Sequence, residues 1–549
     1  MNPLRGARSA VLRALPLAPL AGVVAYAVVL AQRVPSLVTD TATSDSVGPM
    51  VIAESLPSTH PGSVVSMGNA AHYTTLWFDE LTRSLPGHRE IWQAMPFVLS
   101  LLGLLLLAFT VQRLRGWRAA LITLGIGIAT PPLLLVPLLA QAYHSTTFVN
   151  GIVLAALLVW LCRRPRVTAP HVVVVVSLAA VVTGLDVASD PLLLVTGVAP
   201  FVAAAVLVLW RHRVRRAAEV LVAVGGAAAV ALVTAGVTAL VMRHVGYQVI
   251  GLPLQVASPS RANANLTLLG HLVLDMGNGR LGLSNLGDLG VLRLVCGVLV
   301  VVGVCVPVWV VLRFAISPRR RSPSAQAEIP RRSDGGDADL ARDAFLTFWA
   351  ATAVFLVLAF VATTLALDTN SIRYLPPLFY SVAATVPFVR RQGAAALAVA
   401  FVGVTGAVLL SRAQLEADFN VAPQDAQPLI ALLEQHGLHH GYAGYWQANL
   451  LTWESGGAVQ SRAVQQSAEC RAQQPGWFCP YPIFTVSDWY APQGGPTFVI
   501  REHDGAFVPD PPPSTPAPSA VYHVDRFDVY VYTQDIGAAA AAETAGWAG

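Results

Sequence analysis

Lysine is missing from this chain: all 35 basic residues are arginine, spread over 549 positions that also carry 31 acids, for a formal charge of +4. Charge of either sign is scarce, at 12% of residues against about 25% in an ordinary soluble domain, which excludes a cytosolic enzyme. The small positive excess, without any lysine, is no nucleic-acid signature, and no nucleic-acid partner is expected. The 43 Gly and 38 Pro follow no period and 54% of residues are apolar, which excludes collagen-like and disordered chains. Internal repeats are absent as well.

Long apolar runs are what the chain does have. Its mean hydropathy is +0.57, and runs of about 20 apolar residues recur, each long enough to cross a hydrocarbon layer of roughly 30 Å. Eleven are placed at 14–32, 93–112, 119–140, 147–162, 171–188, 191–210, 218–241, 290–312, 345–366, 375–389 and 393–411. With a cytoplasmic N-terminus, 22 Arg fall inside, 8 fall in outer loops and 5 follow the last run. The excess of inner Arg sets that orientation, and an odd number of crossings puts the C-terminus outside. The expected setting is the plasma membrane, crossed many times. Arg5, Arg8 and Arg13 precede the first run, and Ala25-Tyr26-Ala27 loosely fits a cleavage site, yet the run is read as a retained span because its loss would untether the loop that follows.

Two parts follow: residues 1–411 as a transmembrane domain with a large outer loop at 33–93, and residues 412–549 as an extracytoplasmic α/β domain. Pro428–His436 predicts a short helix closed by Gly437, and Phe498–Ile500 and Val521–Tyr532 predict strands. The stretch 317–343, rich in Ser, Pro, Arg and Asp, is a solvated linker. Cys162, Cys296 and Cys305 fall in spans as packed small hydrophobes. Cys470 and Cys479, in a segment assigned to an oxidising compartment, predict a disulfide that stabilises the tail by roughly 2–3 kcal/mol. His436, His439, His440, His503 and His523 stand at no familiar zinc-ligand spacing from those two Cys.

Chemistry points to the first outer loop. Asp40 and Asp45 closely follow the first span in Thr-Asp-Thr-Ala-Thr-Ser-Asp-Ser, ahead of the apolar stretch Val47–Leu56 that contains Glu54. A carboxylate at the membrane surface can take a proton from a hydroxyl while a lipid-borne group reaches it from the bilayer. Ser44 and Asp45 equally suit the cap of the next helix. Asp79-Glu80 reads as a solvated helix face, and Asp190-Pro191, near Asp186, as a helix start.

The order of features resembles the GT-C superfamily of polytopic glycosyltransferases, which contains protein O-mannosyltransferases and bacterial aminoarabinose transferases. The resemblance rests on Ser44-Asp45-Ser46, on His72-Tyr73-Thr74-Thr75-Leu76-Trp77, on Leu85-Pro86-Gly87-His88-Arg89 leading into the second span, and on Ser371-Ile372-Arg373-Tyr374-Leu375-Pro376-Pro377. It covers roughly residues 10–410 as architecture, and its motifs are short. It implies an inverting transfer of a sugar from a polyprenyl-phosphate donor to a glycan, lipid or protein acceptor on the outer face. Asp45 would be the general base, Arg373 would hold the donor phosphate, and Asp40, Glu54, His72, Tyr73 and Tyr374 would line the substrate site. The chain departs from the pattern at Tyr73-Thr74, where the family has Pro-Pro, and at His144-Ser145-Thr146-Thr147, where it has an acid. A divalent metal is therefore left open, with no ligand set assigned. Two other readings stand beside the transferase: a non-catalytic envelope scaffold, and a lipid or polysaccharide transporter, the latter disfavoured because charges cluster at span ends. The topology is checked by placing a cysteine at Ser514: labelling in intact cells is expected, and labelling only after lysis would refute the orientation.

Overall fold

The computed structural model describes residues 18–537 apart from internal stretches, the longest being 277–289, 317–333, 413–422, 466–478 and 504–515. The fold is a polytopic helical bundle carrying a smaller α/β unit. The chain runs α1 (Ala18–Asp40), α2 (Ser44–Ser55), β1 (Val65–Met67), α3 (Tyr73–Thr82), α4 (His88–Arg115), α5 (Trp117–Ile128), α6 (Pro132–Leu135), α7 (Ser145–Arg163), α8 (Pro170–Ser189), α9 (Ala199–His212), α10 (Arg215–His244), β2 (Tyr247–Val249), α11 (Pro259–Asp275), α12 (Gly290–Ile316), α13 (Asp334–Ala362), α14 (Pro376–Thr385) and α15 (Gln392–Arg412). The tail adds α16 (Pro423–Gln435), β3 (His440–Ala443), α17 (Tyr445–Glu454), β4 (Gln460–Gln465), β5 (Cys479–Pro480), β6 (Thr485–Val486), β7 (Thr497–Glu502), β8 (Ala520–Val524) and β9 (Phe527–Tyr532).

The described parts of the apolar runs are largely helical, but the helices differ in reach, and the run at 119–140 is broken after Ile128 into Trp117–Ile128 and Pro132–Leu135. Among the described residues seven are long and apolar enough to cross a membrane, and Ala21–Val34, Trp117–Ile128 and Gln392–Val408 are shorter apolar segments. The run at 375–389 is a ten-residue helix with a 3₁₀ turn, deep in the bundle, where Leu375, Leu378 and Ala383 are at most 1% exposed. Ten residues rise only about 15 Å, so this segment does not span on its own length. On the outside of the bundle, Val174, Leu178 and Val182 of α8 and Val222, Val233 and Leu240 of α10 are exposed apolar side chains. Such surface is stable against lipid and costly in water. The first and last helices meet closely: a Cβ on Gly22 would lie 2.6 Å from the Ala400 carbonyl oxygen, and one on Gly403 would lie 3.1 Å from that of Gly22. Small residues at such a crossing let helix backbones approach.

A second core joins the segment between the first two long helices to the tail. Val47, Met50, Val51 and Ile52 of α2 and Trp92 of α4 are buried together with Leu450, Trp453, Phe484, Tyr490 and Phe498. The tail sheet has the order β5-β4-β3-β7-β9-β8, parallel where β3 meets β4 and β7 and antiparallel elsewhere. A smaller sheet, β2-β1-β6, takes one strand from each of three segments distant in the chain. The predicted tail helix starts earlier than the sequence suggests, at Pro423. Pro428 lies inside this helix, where it leaves the Gln424 carbonyl without its i+4 donor. Gly437 closes the helix at φ +63°, with the Leu438 N–H donating to the Leu433 carbonyl. None of Cys162, Cys296 and Cys305 is disulfide-bonded; the first two are buried as expected, whereas Cys305 is exposed. Cys479 is buried and disulfide-bonded, and since Cys470 lies outside the described residues, the pairing of the two stands as a proposal.

Gly48 of α2 sits against the Phe484 side chain of the tail, where a Cβ would come within 2.8 Å of three of its carbons. Overpacking of this kind costs typically about 1–3 kcal/mol, more than the gain in helix propensity of about 1 kcal/mol. Gly48→Ala is expected to lower the thermal midpoint. Gly226→Ala, with open space around its Cβ, is expected to leave it unchanged or raise it. A Gly48→Ala protein as stable as wild type would mean that the seam between α2 and the tail yields freely.

Candidate active site at the mouth of the bundle

The site is built on the first turn of α2. Thr43 is its N-cap, accepting from the Ser46 N–H while its own N–H donates to Ser46 Oγ at 2.8 Å. The sequence offered Ser44 and Asp45 for that duty; with Thr43 in the role, both side chains turn elsewhere. Ser44 Oγ donates to the main-chain carbonyls of Tyr445 (2.6 Å) and Trp446 (2.9 Å), which opens α17 of the tail against α2. Asp45, in the positive end of the helix dipole, receives Arg373 Nη1 on Oδ2 at 3.2 Å and the Tyr445 hydroxyl on Oδ1. Arg373 ends a 3₁₀ turn, Thr369–Tyr374, whose own start is fixed by an Asp368–Ser371 capping box. Its Nη2 donates to the Tyr374 hydroxyl at 3.2 Å.

Burial raises the Tyr445 phenol well above its ordinary range, and the Asp45 carboxylate adds to this, so Tyr445 stays a proton donor. Tyr481 stacks on Tyr445 with ring centres 4.5 Å apart. On the other side of Arg373, the Tyr374 ring lies 5.5 Å from the His144 ring. His144 Nδ1 is 2.6 Å from Asp190 Oδ2, which also accepts from Thr147 Oγ1 at 2.7 Å, while Asp186 accepts from Thr146 Oγ1 (2.8 Å) and Asn150 (3.2 Å). The His144–Thr147 stretch, a departure from the family pattern, is thus wired to the two acids that close α8. Asp190 Oδ1 also accepts from the Leu192 N–H, so the helix-start reading holds alongside the histidine contact.

His72 is left-handed at φ 52° and its main chain is pinned by its N–H to the Ser189 carbonyl at 3.1 Å. Burial pushes its imidazole down to about 3, with the charges of His144 and Arg373 acting in the same direction against Asp190. It is held neutral, its ring 5.3 Å from Phe484.

Asp45, Arg373 and Tyr374 therefore come together, and His72 lies within electrostatic reach of Arg373. Glu54 does not join them. It is nine positions further along α2, about 13 Å down the axis, where Arg89 Nε and Nη2 grip it at 2.7 and 2.6 Å and His88 approaches to 3.5 Å. Arg89 in turn lies 4.7 Å from the Trp453 ring centre. Tyr73 packs on Trp77 and Tyr247, and the Asp40 side chain lies outside the described residues. The Asp79-Glu80 pair divides: Asp79 is fully buried and bonded to Arg83 at 3.1 Å, whereas the Glu80 side chain is 68% exposed. Burial raises the Asp79 carboxyl above the usual range despite Arg83. Tyr445, Tyr481, Asp190 and His144 in its bonded role are the site residues that sequence reasoning missed. For Tyr445 the available signal was the aromatic pair Tyr445-Trp446 straight after Gly444 at a helix start.

Asp45 is engaged by Arg373 and Tyr445, and Asp190 by His144, Thr147 and the main chain. Among the described residues, the one cluster of His, Cys, Asp or Glu with ligand atoms within 4.8 Å of one another lies in the tail. No step is routed through a metal.

No family model and no curated protein matches this chain. It is similar to solved structures. ArnT from Cupriavidus metallidurans bound to undecaprenyl phosphate shares 13% identity over 94% of this chain and 97% of its own, with a TM-score of 0.48. The Archaeoglobus fulgidus oligosaccharyltransferase complex with Zn and sulfate shares 12% identity, with a TM-score of 0.41, over 80% of this chain and 62% of its own. AglB from the same organism, in complex with an inhibitory peptide and a dolichol-phosphate, shares 12% identity over 81% of this chain and 64% of its own, at 0.39. The chain spans less than two thirds of those archaeal enzymes. At such identities and scores nothing about reaction or substrate transfers from them, and the chemistry is read from the mouth residues.

A neutral His72 makes stability pH-dependent. The unfolded imidazole titrates near 6.5 and the folded one near 3, so between these values the unfolded state binds the extra proton and stability is lost as pH falls. At pH 5 this amounts to about 2 kcal/mol. Thermal midpoints at pH 7.5 and pH 5 should show a smaller acid loss in His72→Gln than in wild type; equal losses would place the acid sensitivity elsewhere.

Proposed function

We propose that the protein is a membrane glycosyltransferase that moves a sugar from a polyprenyl-phosphate donor to an acceptor on the outer face of the plasma membrane, with inversion. In this reading the N-terminus is cytoplasmic and the tail extracytoplasmic. The observation that carries it is the ion pair between Asp45 and Arg373, side chains 328 positions apart in the chain and 3.2 Å apart at the mouth. The first is the residue type needed to take a proton and the second the one that holds phosphate, and the resemblance of their motifs assigns them those two roles.

The step balances with these two side chains. An acceptor hydroxyl gives its proton to the Asp45 carboxylate while its oxygen bonds to the anomeric carbon from the face opposite the phosphate. The bond from that carbon to the phosphate oxygen breaks, and its electron pair leaves with the lipid phosphate. Arg373, a planar cation, offsets that charge through paired N–H donors. Before the donor arrives the two groups satisfy each other. Donor phosphate competes for the guanidinium and leaves Asp45 to Tyr445 and the acceptor. Tyr374 and Tyr445 fix the angles of the two working groups.

Transfer is measured as consumption of a polyprenyl-phosphate sugar by purified protein. Asp45→Asn is expected to lower the rate by about 10²–10⁴. Arg373→Ala should weaken donor use by about 1.5–3 kcal/mol, and Arg373→Lys should stay impaired because the fork is lost. Full activity in Asp45→Asn with none in Asp40→Asn would move the base to Asp40. A wild-type protein that binds polyprenyl phosphate and consumes no donor would support the scaffold reading instead.

A further inference from the structure

The cluster left unused by this chemistry sits on the antiparallel β7-β9-β8 part of the tail sheet. His523 and Asp528 face each other in the β8–β9 register, and His503 follows β7, its N–H donating to the Arg526 carbonyl at 2.9 Å. Asp528 Oδ1 lies 2.8 Å from His503 Nε2 and 2.5 Å from His523 Nδ1. The three ligand atoms fall within 4.8 Å of one another. The histidine side chains are 47% and 71% exposed and the carboxylate 16%, so one side of the group opens to solvent and the other is anchored in the sheet.

We propose that His503, His523 and Asp528 form a site for a divalent transition metal of the zinc class, a function separate from the mouth of the bundle. Two imidazoles and a carboxylate are borderline ligands suited to Zn²⁺, with a fourth position for water or for a ligand from another molecule. Both imidazole nitrogens share a single carboxylate oxygen, so one cation can take the place of the two hydrogen bonds. With metal bonds of about 2.0–2.1 Å the ligand atoms of a tetrahedral site stand roughly 3.3 Å apart. Opening the present 2.5 and 2.8 Å contacts to that spacing needs only small side-chain rotations at an exposed surface. Arg501 opposes Asp528 across β7–β9, and its charge tempers affinity. Metal at this place ties the β8–β9 hairpin to the end of β7.

The test uses the full-length protein in detergent, stripped with chelator and titrated with Zn²⁺ by calorimetry, and with Co²⁺ by visible absorption. One equivalent of Zn²⁺ and the visible bands of a protein-bound Co²⁺ centre are expected, together with a raised thermal midpoint. His523→Ala, whose side chain is mostly exposed, and Asp528→Asn should each weaken binding by at least tenfold and abolish the Zn²⁺-dependent rise, while His439→Ala should do neither. Equal binding by wild type and by His503→Ala/His523→Ala, or no binding by wild type, would overturn the site and leave the triad as a hydrogen-bonded staple.

Discussion

The contact on which the rest of this molecule turns is the meeting of residues 45, 373 and 445. A carboxylate in the first turn of α2 is held by a guanidinium from a turn between two helices of the bundle and by a phenol from the tail. Charge-assisted hydrogen bonds are the strong ones, roughly twice a neutral pair, and here they join three segments. Remove Asp45 and the other two each lose a partner. Ser44, next to Asp45, adds its hydroxyl to the start of α17, so the same helical turn anchors the main chain and aims the side chain.

Around this contact the polar groups are arranged in two connected sets. Nearer the tail stand Tyr445 and Tyr481. Nearer the bundle, Tyr374 leads to His144 and through it to Asp190. Buried carboxylates are costly unless each oxygen finds donors, and Asp186 and Asp190 find theirs on α7 and in the turn before it. The outer ends of α7 and α8 are thereby fixed relative to each other, which gives Tyr374 a rigid wall to pack against. Glu54 with Arg89 does the same work further along α2, bracing that helix against α4 and Trp453.

Much of this was legible in the sequence because hydrophobic length and arginine placement are strong, local signals. The helices of the bundle declare themselves by apolar run, and Asp45 and Arg373 stand in short stretches with a recognisable motif. What could not be read has a common cause, which is that it depends on where distant segments meet. Thr43, rather than Ser44 or Asp45, caps α2, because all three are competent caps and the choice is made by what Ser44 and Asp45 reach across the gap. Asp79 looks like half of a solvated acidic pair until α3 is laid against its neighbours and buries it. Tyr445 has only its place at a helix start to mark it. The run at 375–389 is as apolar as a span but half as long, and its proline-led start and 3₁₀ end set its true length.

The three-stranded sheet outside the bundle has a bearing on how the protein is made. Strand β1 finds one neighbour in residues 247–249 and the other in residues 485–486, so when residues 65–67 emerge both edges are bare, and the second stays so through most of synthesis. Unpaired strand edges invite pairing with the wrong chain. With only three residues, β1 offers little to such a stranger, and its ladder closes last, when the tail arrives. Assembly of this face is thus timed by the tail: a nascent chain has its bundle before it has its mouth, and the carboxylate of Asp45 meets Tyr445 only once the tail has been made.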